Sequence, residues 1–239
     1  MEKFTVDTIL EPPLRISQPA NGYRFTIDPV ILAAQVKPAP GFRILDMGCG
    51  CGIIPLLLAR RHPDTQIIGI ERQKILFQCA QQNVQDNPFN NIQILHGDIR
   101  TLDLDQLPGR LDMIVSNPPY IKRAAGRINP DSQKAMARHE ITLDIDQLCC
   151  KASQLLTSQG SLHIIFPALR EQDLHRAICQ TGLHVVEQLP IFSTPDNPPL
   201  RILVKAQKKE TDQYSLKPPL YLHRADGTPT KEYFNLFNA

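Results

Sequence analysis

The stretch from Arg43 to Leu58, RILDMGCGCGIIPLLL, constrains this chain more than any other. Ile44, Leu45 and Met47 make a short apolar run, the pattern of a buried strand, with Asp46 set near its end. Gly48, Gly50 and Gly52 then alternate with the small residues Cys49 and Cys51 before an apolar run of helical length begins. Glycine permits a tight turn and leaves no Cβ in the path of a ligand. A strand, a glycine loop and a helix N-terminus, in that order, predict a binding site at the carboxyl edge of a parallel sheet.

The spacing separates candidate ligands. A dinucleotide loop reads G-x-G-x-x-G, whereas here the glycines run G-x-G-x-G and position 53 is Ile. Asp46, at the mouth of the loop, would repel a pyrophosphate and suits a cation. D-x-G-x-G-x-G behind a strand resembles the S-adenosylmethionine loop of class I methyltransferases. Taken by itself, the loop also reads as a tight strand-to-helix turn.

Bulk properties set the bounds. A chain of 239 residues, 42% hydrophobic and 21% charged, is long enough for one large globular domain with a substantial core. The net charge of +2 gives no argument for nucleic acid, so any basic patch is local. No run approaches the length of a membrane span, and MEKFTVDTILEPP lacks the apolar core and cleavage site of a signal peptide. Cysteines stand at 49, 51, 79, 149, 150 and 179, without a C-x-x-C pair or a flanking His pair. That pattern argues against zinc and against a disulfide framework. The expectation is a cytoplasmic protein with reduced thiols, no metal and no membrane partner.

Strand and helix patterns alternate along the chain. Residues 1–22 read as irregular, with Pro12, Pro13, Pro19 and Gly22. Asp28 reads as a cap, with Pro29 at the first position of a helix over about 29–37. A second reading sets the Asp28 segment against the methyl-donor pocket. Gln66–Ile70 is a short strand ending in Glu71, which lies 19 residues past Gly52 and is placed to accept both ribose hydroxyls of an adenosine. Arg72 is assigned to the donor site with it. Ile92–Leu95 is a third strand. Asp98 just past it fits an acceptor for the adenine amino group, and Ile99 fits a cover for the ring. Leu111–Val115 is a fourth strand. Ile145, Leu148, Cys149, Ala152, Leu155 and Leu156 have helical spacing, with Gly160 as the stop. Ser161–Phe166 is a fifth strand. Leu183–Ile191 and Arg201–Ala206 are joined too closely for a helix between them and are expected to pair antiparallel. The whole reads as α/β with right-handed crossovers, residues 42–206 as its core, 1–41 as a lead-in and 207–239 as a tail that packs back.

Asn117-Pro118-Pro119-Tyr120 follows the fourth strand and carries the most chemical information. An exocyclic amine on a base is a poor nucleophile because its lone pair is delocalised into the ring. Methylating it requires the nitrogen to become more tetrahedral, which two acceptors aimed at its two N–H bonds favour. Asn117 offers a side-chain carbonyl and Pro118 a backbone one, the two prolines stiffen the turn, and Tyr120 offers a ring for stacking. Read alone, N-P-P-Y is also simply a rigid turn.

Asn117–Tyr120 together with Asp46–Gly52 resembles the amino-methyltransferases, which act on adenine N6, guanine N2 or a glutamine amide. GYRFTIDPVILA, ARHEITLD at 137–144 and PPLRILV at 198–204 narrow the resemblance to the bacterial tRNA (adenine-N6)-methyltransferase family, over most of residues 20–206. The resemblance implies a Rossmann-like class I methyltransferase with a seven-stranded, mostly parallel sheet, one antiparallel strand and helices on both faces. It implies S-adenosylmethionine as cofactor and tRNA as partner. It places Asp28, Asp46, Gly48, Cys49, Gly50, Gly52, Glu71, Arg72, Asp98, Ile99 and Asn117 around the donor and Asn117–Tyr120 around the target amine. The cysteine pair departs from the Ala, Thr or Ser more usual in such loops and raises the question of thiol sensitivity.

The segment 121–140 holds Lys122, Arg123, Arg127, Lys134 and Arg138 against Asp131 and Glu140, a local charge of +3 where phosphates could lie. Lys122, Arg123, Arg127 and Arg138 are the RNA-contact candidates. A glutamine methyltransferase acting on a protein such as a release factor is the main alternative, although such enzymes usually carry a helical domain ahead of the glycine loop. Guanine-N2 methylation of ribosomal RNA, DNA adenine methylation and a non-catalytic binding subunit are further readings. Oligomeric state is left open.

Overall fold

The structure, a computed structural model, describes residues 4–10, 13–20, 24–119, 144–211 and 213–238. The apolar runs become β3 (Arg43–Met47), β4 (Gln66–Glu71), β5 (Ile92–His96), β6 (Leu111–Ser116) and β7 (Leu156–Pro167), all parallel to one another. β8 (His184–Phe192) and β9 (Arg201–Gln207) follow. β9 runs antiparallel to both β7 and β8, as the short connection requires. These seven strands lie in the order β8-β9-β7-β6-β3-β4-β5.

Strands buried on both faces need apolar residues on both sides, and the alternation along β3 supplies them. Ile44 packs into one core with α1 (Asp28–Gln35) and α2 (Ile53–Arg61), while Leu45 and Met47 pack into the other with α4 (Ile145–Leu155) and α5 (Glu171–Cys179). α3 (Lys74–Gln85) sends Cys79 into the first core. The parallel sheet, the single antiparallel strand and the helices on both faces agree with the expected architecture.

Four local expectations need correction. Residues 1–22 are not irregular throughout, because Phe4–Ile9 (β1) and Leu14–Pro19 (β2) form an antiparallel hairpin. Proline is tolerated there because Pro13 precedes β2 and Pro19 is its last residue. Leu14 and Ile16 are buried with period 2 and join the first core. Asp28 does not cap α1. Ile27 holds the cap position, Asp28 is the first helical residue, and its carboxylate accepts from Arg201 Nε at 2.9 Å. α1 stops at Gln35, short of the expected 37, and Val36 is already extended ahead of Lys37-Pro38. Finally, Gly160 does not stop a helix. α4 passes directly into β7 at Leu156, and Gly160 lies within the strand where a Cβ would come within 2.8 Å of Leu156 Cδ2 and 3.0 Å of the Leu111 carbonyl oxygen.

The tail packs back, as expected, and it does so along a sheet edge. Ser215–Leu216 (β10) and Leu220–Tyr221 (β11) each pair in parallel with β8, covering unpaired backbone. α6 (Lys231–Asn235) follows, and Leu236 just beyond it enters the first core, its carbonyl accepting from Arg61 Nη2 at 2.6 Å.

Candidate active site

Four parallel strands end on one edge and deliver the residues in question. At the end of β3, Gly48, Gly50 and Gly52 have φ of 81°, 56° and 84°, a region in which side-chain-bearing residues are strained. A Cβ on Gly48 would meet nothing within 4 Å, so backbone conformation demands that glycine. Gly52 answers to conformation and crowding together, since its Cβ would stand 3.2 Å from Ala80 Cβ. The amides of Gly48 and Cys49 both donate to the Ile70 carbonyl at 3.0 Å, tying the loop to β4.

Asp46 is fully buried, and neither of its carboxylate oxygens has a hydrogen-bond partner among the described residues. Burial, reinforced by the nearby Glu71 carboxylate, pushes its pKa well above the usual carboxylate range. A buried acid of this kind is costly unless a cation compensates it, so the loop fits a positively charged ligand and opposes a pyrophosphate.

Glu71 closes the loop from the side. Its Oε2 accepts from Gly50 N at 3.0 Å and its Oε1 from Gln73 N at 2.7 Å. The Arg72 amide also turns to this carboxylate, and of its roughly four acceptor sites one remains for a further donor, so a ribose hydroxyl is compatible with Glu71. Burial raises its pKa, while the amides of Gln73 and Gly50 act against the rise.

Asp98 is more heavily engaged than expected. Arg100 donates to both carboxylate oxygens through Nε, each at 3.0 Å, and through its backbone amide at 3.0 Å, while Arg72 Nη1 lies 3.6 Å away. The Arg100 side chain holds the Asp98 pKa down to about 2. Asp98 is thus a fixed anion clasped by two arginines, and Ile99 beside it is buried. Arg72 presents its backbone carbonyl to His96 Nε2 at 3.0 Å, and His96 stacks on Phe77 with ring centroids 4.9 Å apart.

The two halves of the site meet through strand register. β3 pairs β6 with Asp46 opposite Val115, so Gly48 and Asn117, each two residues further on, leave the sheet side by side. Ser116 Oγ donates to the Met47 carbonyl at 2.8 Å, fastening the root of one turn to the root of the other. Asn117 is half-buried, Pro118 buried and Pro119 exposed. Tyr120, Lys122, Arg123, Arg127 and Arg138 lie outside the described residues, as does ARHEITLD up to Asp144. Asp28 is held at the same edge by Arg201, the first residue of β9.

The cysteines in the loop are buried. Cys49 packs with its Sγ against Gly69, and burial pushes the Cys51 thiol up to about 12. Cys49 is raised as well, by burial and then by the neighbouring Asp46 and Glu71 carboxylates. Thiols held in this way are poor nucleophiles.

Sequence reasoning missed Arg201, Ser116 and Asn83. The last is a fully buried asparagine of α3 whose amide reaches the glycine loop. Its place on the inner side of an amphipathic helix, four residues ahead of Asn87 in the turn that follows, is the one signal that pointed to it.

The fold and the site together define a class I methyltransferase, with a glycine loop over a buried acid on one strand and an Asn-Pro-Pro turn on the next. The sequence matches the methyltransferase small domain family over residues 27–187, and the chain belongs to that family. Among curated relatives, the tRNA1(Val) (adenine(37)-N6)-methyltransferase of Porphyromonas gingivalis is 37% identical over 92% of this chain and 89% of its own length. The enzyme of the same name from Proteus mirabilis is 32% identical over 86% and 82%. Among solved structures, a predicted O-methyltransferase from Agrobacterium tumefaciens superposes with a TM-score of 0.68 at 21% identity, covering 88% of this chain and 95% of that one. TrmN from Thermus thermophilus superposes at 0.54 and 19% identity, over 75% and 48%. At those identities the structures speak for the fold.

Proposed function

We infer that this protein transfers a methyl group to N6 of an adenine in tRNA, in the cytoplasm. The carrying observation is the β3–β6 register, which sets the Asn117-Pro118-Pro119 turn beside the glycine loop. The names of the curated relatives support the choice of tRNA adenine over other amines.

S-adenosylmethionine supplies an electrophilic methyl on a sulfonium. Asp46 provides the negative charge under the loop, Gly48, Cys49, Gly50 and Gly52 the backbone that admits the donor, and Glu71 with Arg72 the ribose end. Asp98 and Ile99 flank the adenine of the donor, and Asp28 stands at the rim. Asn117 and the Pro118 carbonyl accept from the target amine and favour its pyramidal geometry, with Pro119 stiffening the turn. Tyr120 stacks on the extruded target base, and Lys122, Arg123, Arg127 and Arg138 meet the RNA phosphates. No strong base is required before transfer, because the cationic product nitrogen sheds its proton afterwards. Residues 42–206 form the catalytic core of a single domain that includes the lead-in and the tail.

Mass spectrometry of tRNA nucleosides from cells with and without the protein tests this. Loss of N6-methyladenosine with the protein supports it. Transfer of labelled methyl in vitro to protein and none to RNA replaces it with glutamine methylation.

A further inference from the structure

We propose that Asn83 is a positioning residue for the methyl donor, and that through it the N-terminal hairpin forms part of the frame of the donor loop. This rests on the reading of the glycine loop as the donor seat. The geometry is specific. Asn83 Oδ1 accepts from Ser17 N at 2.7 Å, and its Nδ2 donates both to the Ser17 carbonyl at 2.9 Å and to the Cys51 carbonyl at 2.8 Å. Just past the C-terminal end of α3, Asn87 repeats half of the arrangement. Its Oδ1 accepts from Arg15 N at 3.1 Å and its Nδ2 donates to the Arg15 carbonyl at 2.9 Å, but its second donor bond goes to the Asn83 carbonyl at 2.7 Å and not to the loop. Two side-chain amides thus pair with alternate residues on the outer edge of β2, as a neighbouring strand would.

The third bond of Asn83 fixes the donor loop. The peptide unit between Cys51 and Gly52 is held at both ends, its carbonyl by Asn83 and its N–H by the Cys49 carbonyl at 2.8 Å. That unit leads into Gly52, whose positive φ starts α2. Without Asn83 the Cys51 carbonyl loses its buried donor, and the peptide is free to rotate toward one that satisfies it. The amides that face the ligand rotate with it. Ala80, one turn before Asn83, supports the loop at Gly52, so the same face of α3 supports the loop by contact and orients it by hydrogen bonding.

Asn87 provides the internal control, since it grips the hairpin without touching the loop. Asn83→Ala is expected to raise the dissociation constant for S-adenosylhomocysteine by about tenfold or more, and to raise KM for the donor while kcat at saturation changes by less than about threefold. Asn87→Ala is expected to lower Tm with the dissociation constant unchanged. Equal effects of the two variants on affinity, or no effect of Asn83→Ala, overturn the proposal. Failure of the wild-type protein to bind S-adenosylhomocysteine would instead defeat the donor reading itself. If Asn83→Ala does not fold, hydrogen exchange on the unaltered protein decides. Saturating S-adenosylhomocysteine should slow exchange in residues 14–19, and unchanged exchange there counts against the coupling.

Discussion

Gly50 donates its backbone N–H to Glu71 Oε2 at 3.0 Å, so the carboxylate assigned to the donor ribose also sets the shape of the glycine loop. Glu71→Ala therefore removes two things together, the acceptor for a ribose hydroxyl and the restraint on Gly50. We predict a rise in the donor dissociation constant of about tenfold to a hundredfold, the scale of one or two lost hydrogen bonds to a charged group. Calorimetry with S-adenosylhomocysteine measures it, and unaltered affinity removes Glu71 from the site.

Asp46 makes stability depend on pH in a defined sense. Its folded-state pKa is raised, so the folded chain keeps a proton that the unfolded chain releases from about pH 4 upward. The contribution is favourable below that point and is lost as pH rises through the folded value. Asp46→Asn removes the titration. The ligand-free variant should melt above the wild type at pH 8, by about 2–4 °C for each kcal/mol relieved, with the gap closing toward pH 4. It should bind the cationic donor less tightly. A variant less stable than wild type at pH 8 would mean that the carboxylate is already compensated.

The ion pair between Asp28 and Arg201 joins segments 173 residues apart, with the Asp28 side chain 4% exposed and that of Arg201 21%. Removing only the cation leaves a buried carboxylate without it. Arg201→Ala should cost about 2–3 kcal/mol of stability, and a second change, Asp28→Ala, should recover part of the loss. Denaturant unfolding of both variants provides the comparison, and strictly additive losses would contradict it.

The thiols should sort by burial. Cys49, Cys51, Cys79 and Cys149 are buried, and Cys150 and Cys179 are exposed. Iodoacetamide at pH 8 on the folded protein is expected to label Cys150 and Cys179, with the buried four reacting only on unfolding. Peptide mass spectrometry reads the pattern. Rapid labelling of Cys49 or Cys51 would show a loop that opens.

What the chain disclosed in advance was local. The apolar runs ending in Asp46 and Glu71, the glycine spacing and the Asn-Pro-Pro turn each carry their signal within a few residues, and alternation of strand and helix then determines which edge they share. What it concealed was long-range. β2 finds its outer partners in the side chains of Asn83 and Asn87, 66 and 72 residues away, so no local pattern announced the hairpin. Asp28 resembled a cap because nothing near it hinted at Arg201. Asp98 looked free because Arg100 reads equally well as a solvated charge. Gly160 looked like a helix stop, whereas the crowding that requires glycine comes in part from Leu111 on another strand.

Everything proposed for the reaction depends on Asn117 acting on the target amine beside the donor loop and not chiefly as part of the donor seat. Steady-state kinetics and calorimetry of Asn117→Ala test this most directly. Turnover on tRNA should fall by about 10²–10³-fold or more, while affinity for S-adenosylhomocysteine stays within about threefold of wild type. Retained turnover, or turnover lost only in step with donor affinity, would contradict the mechanism.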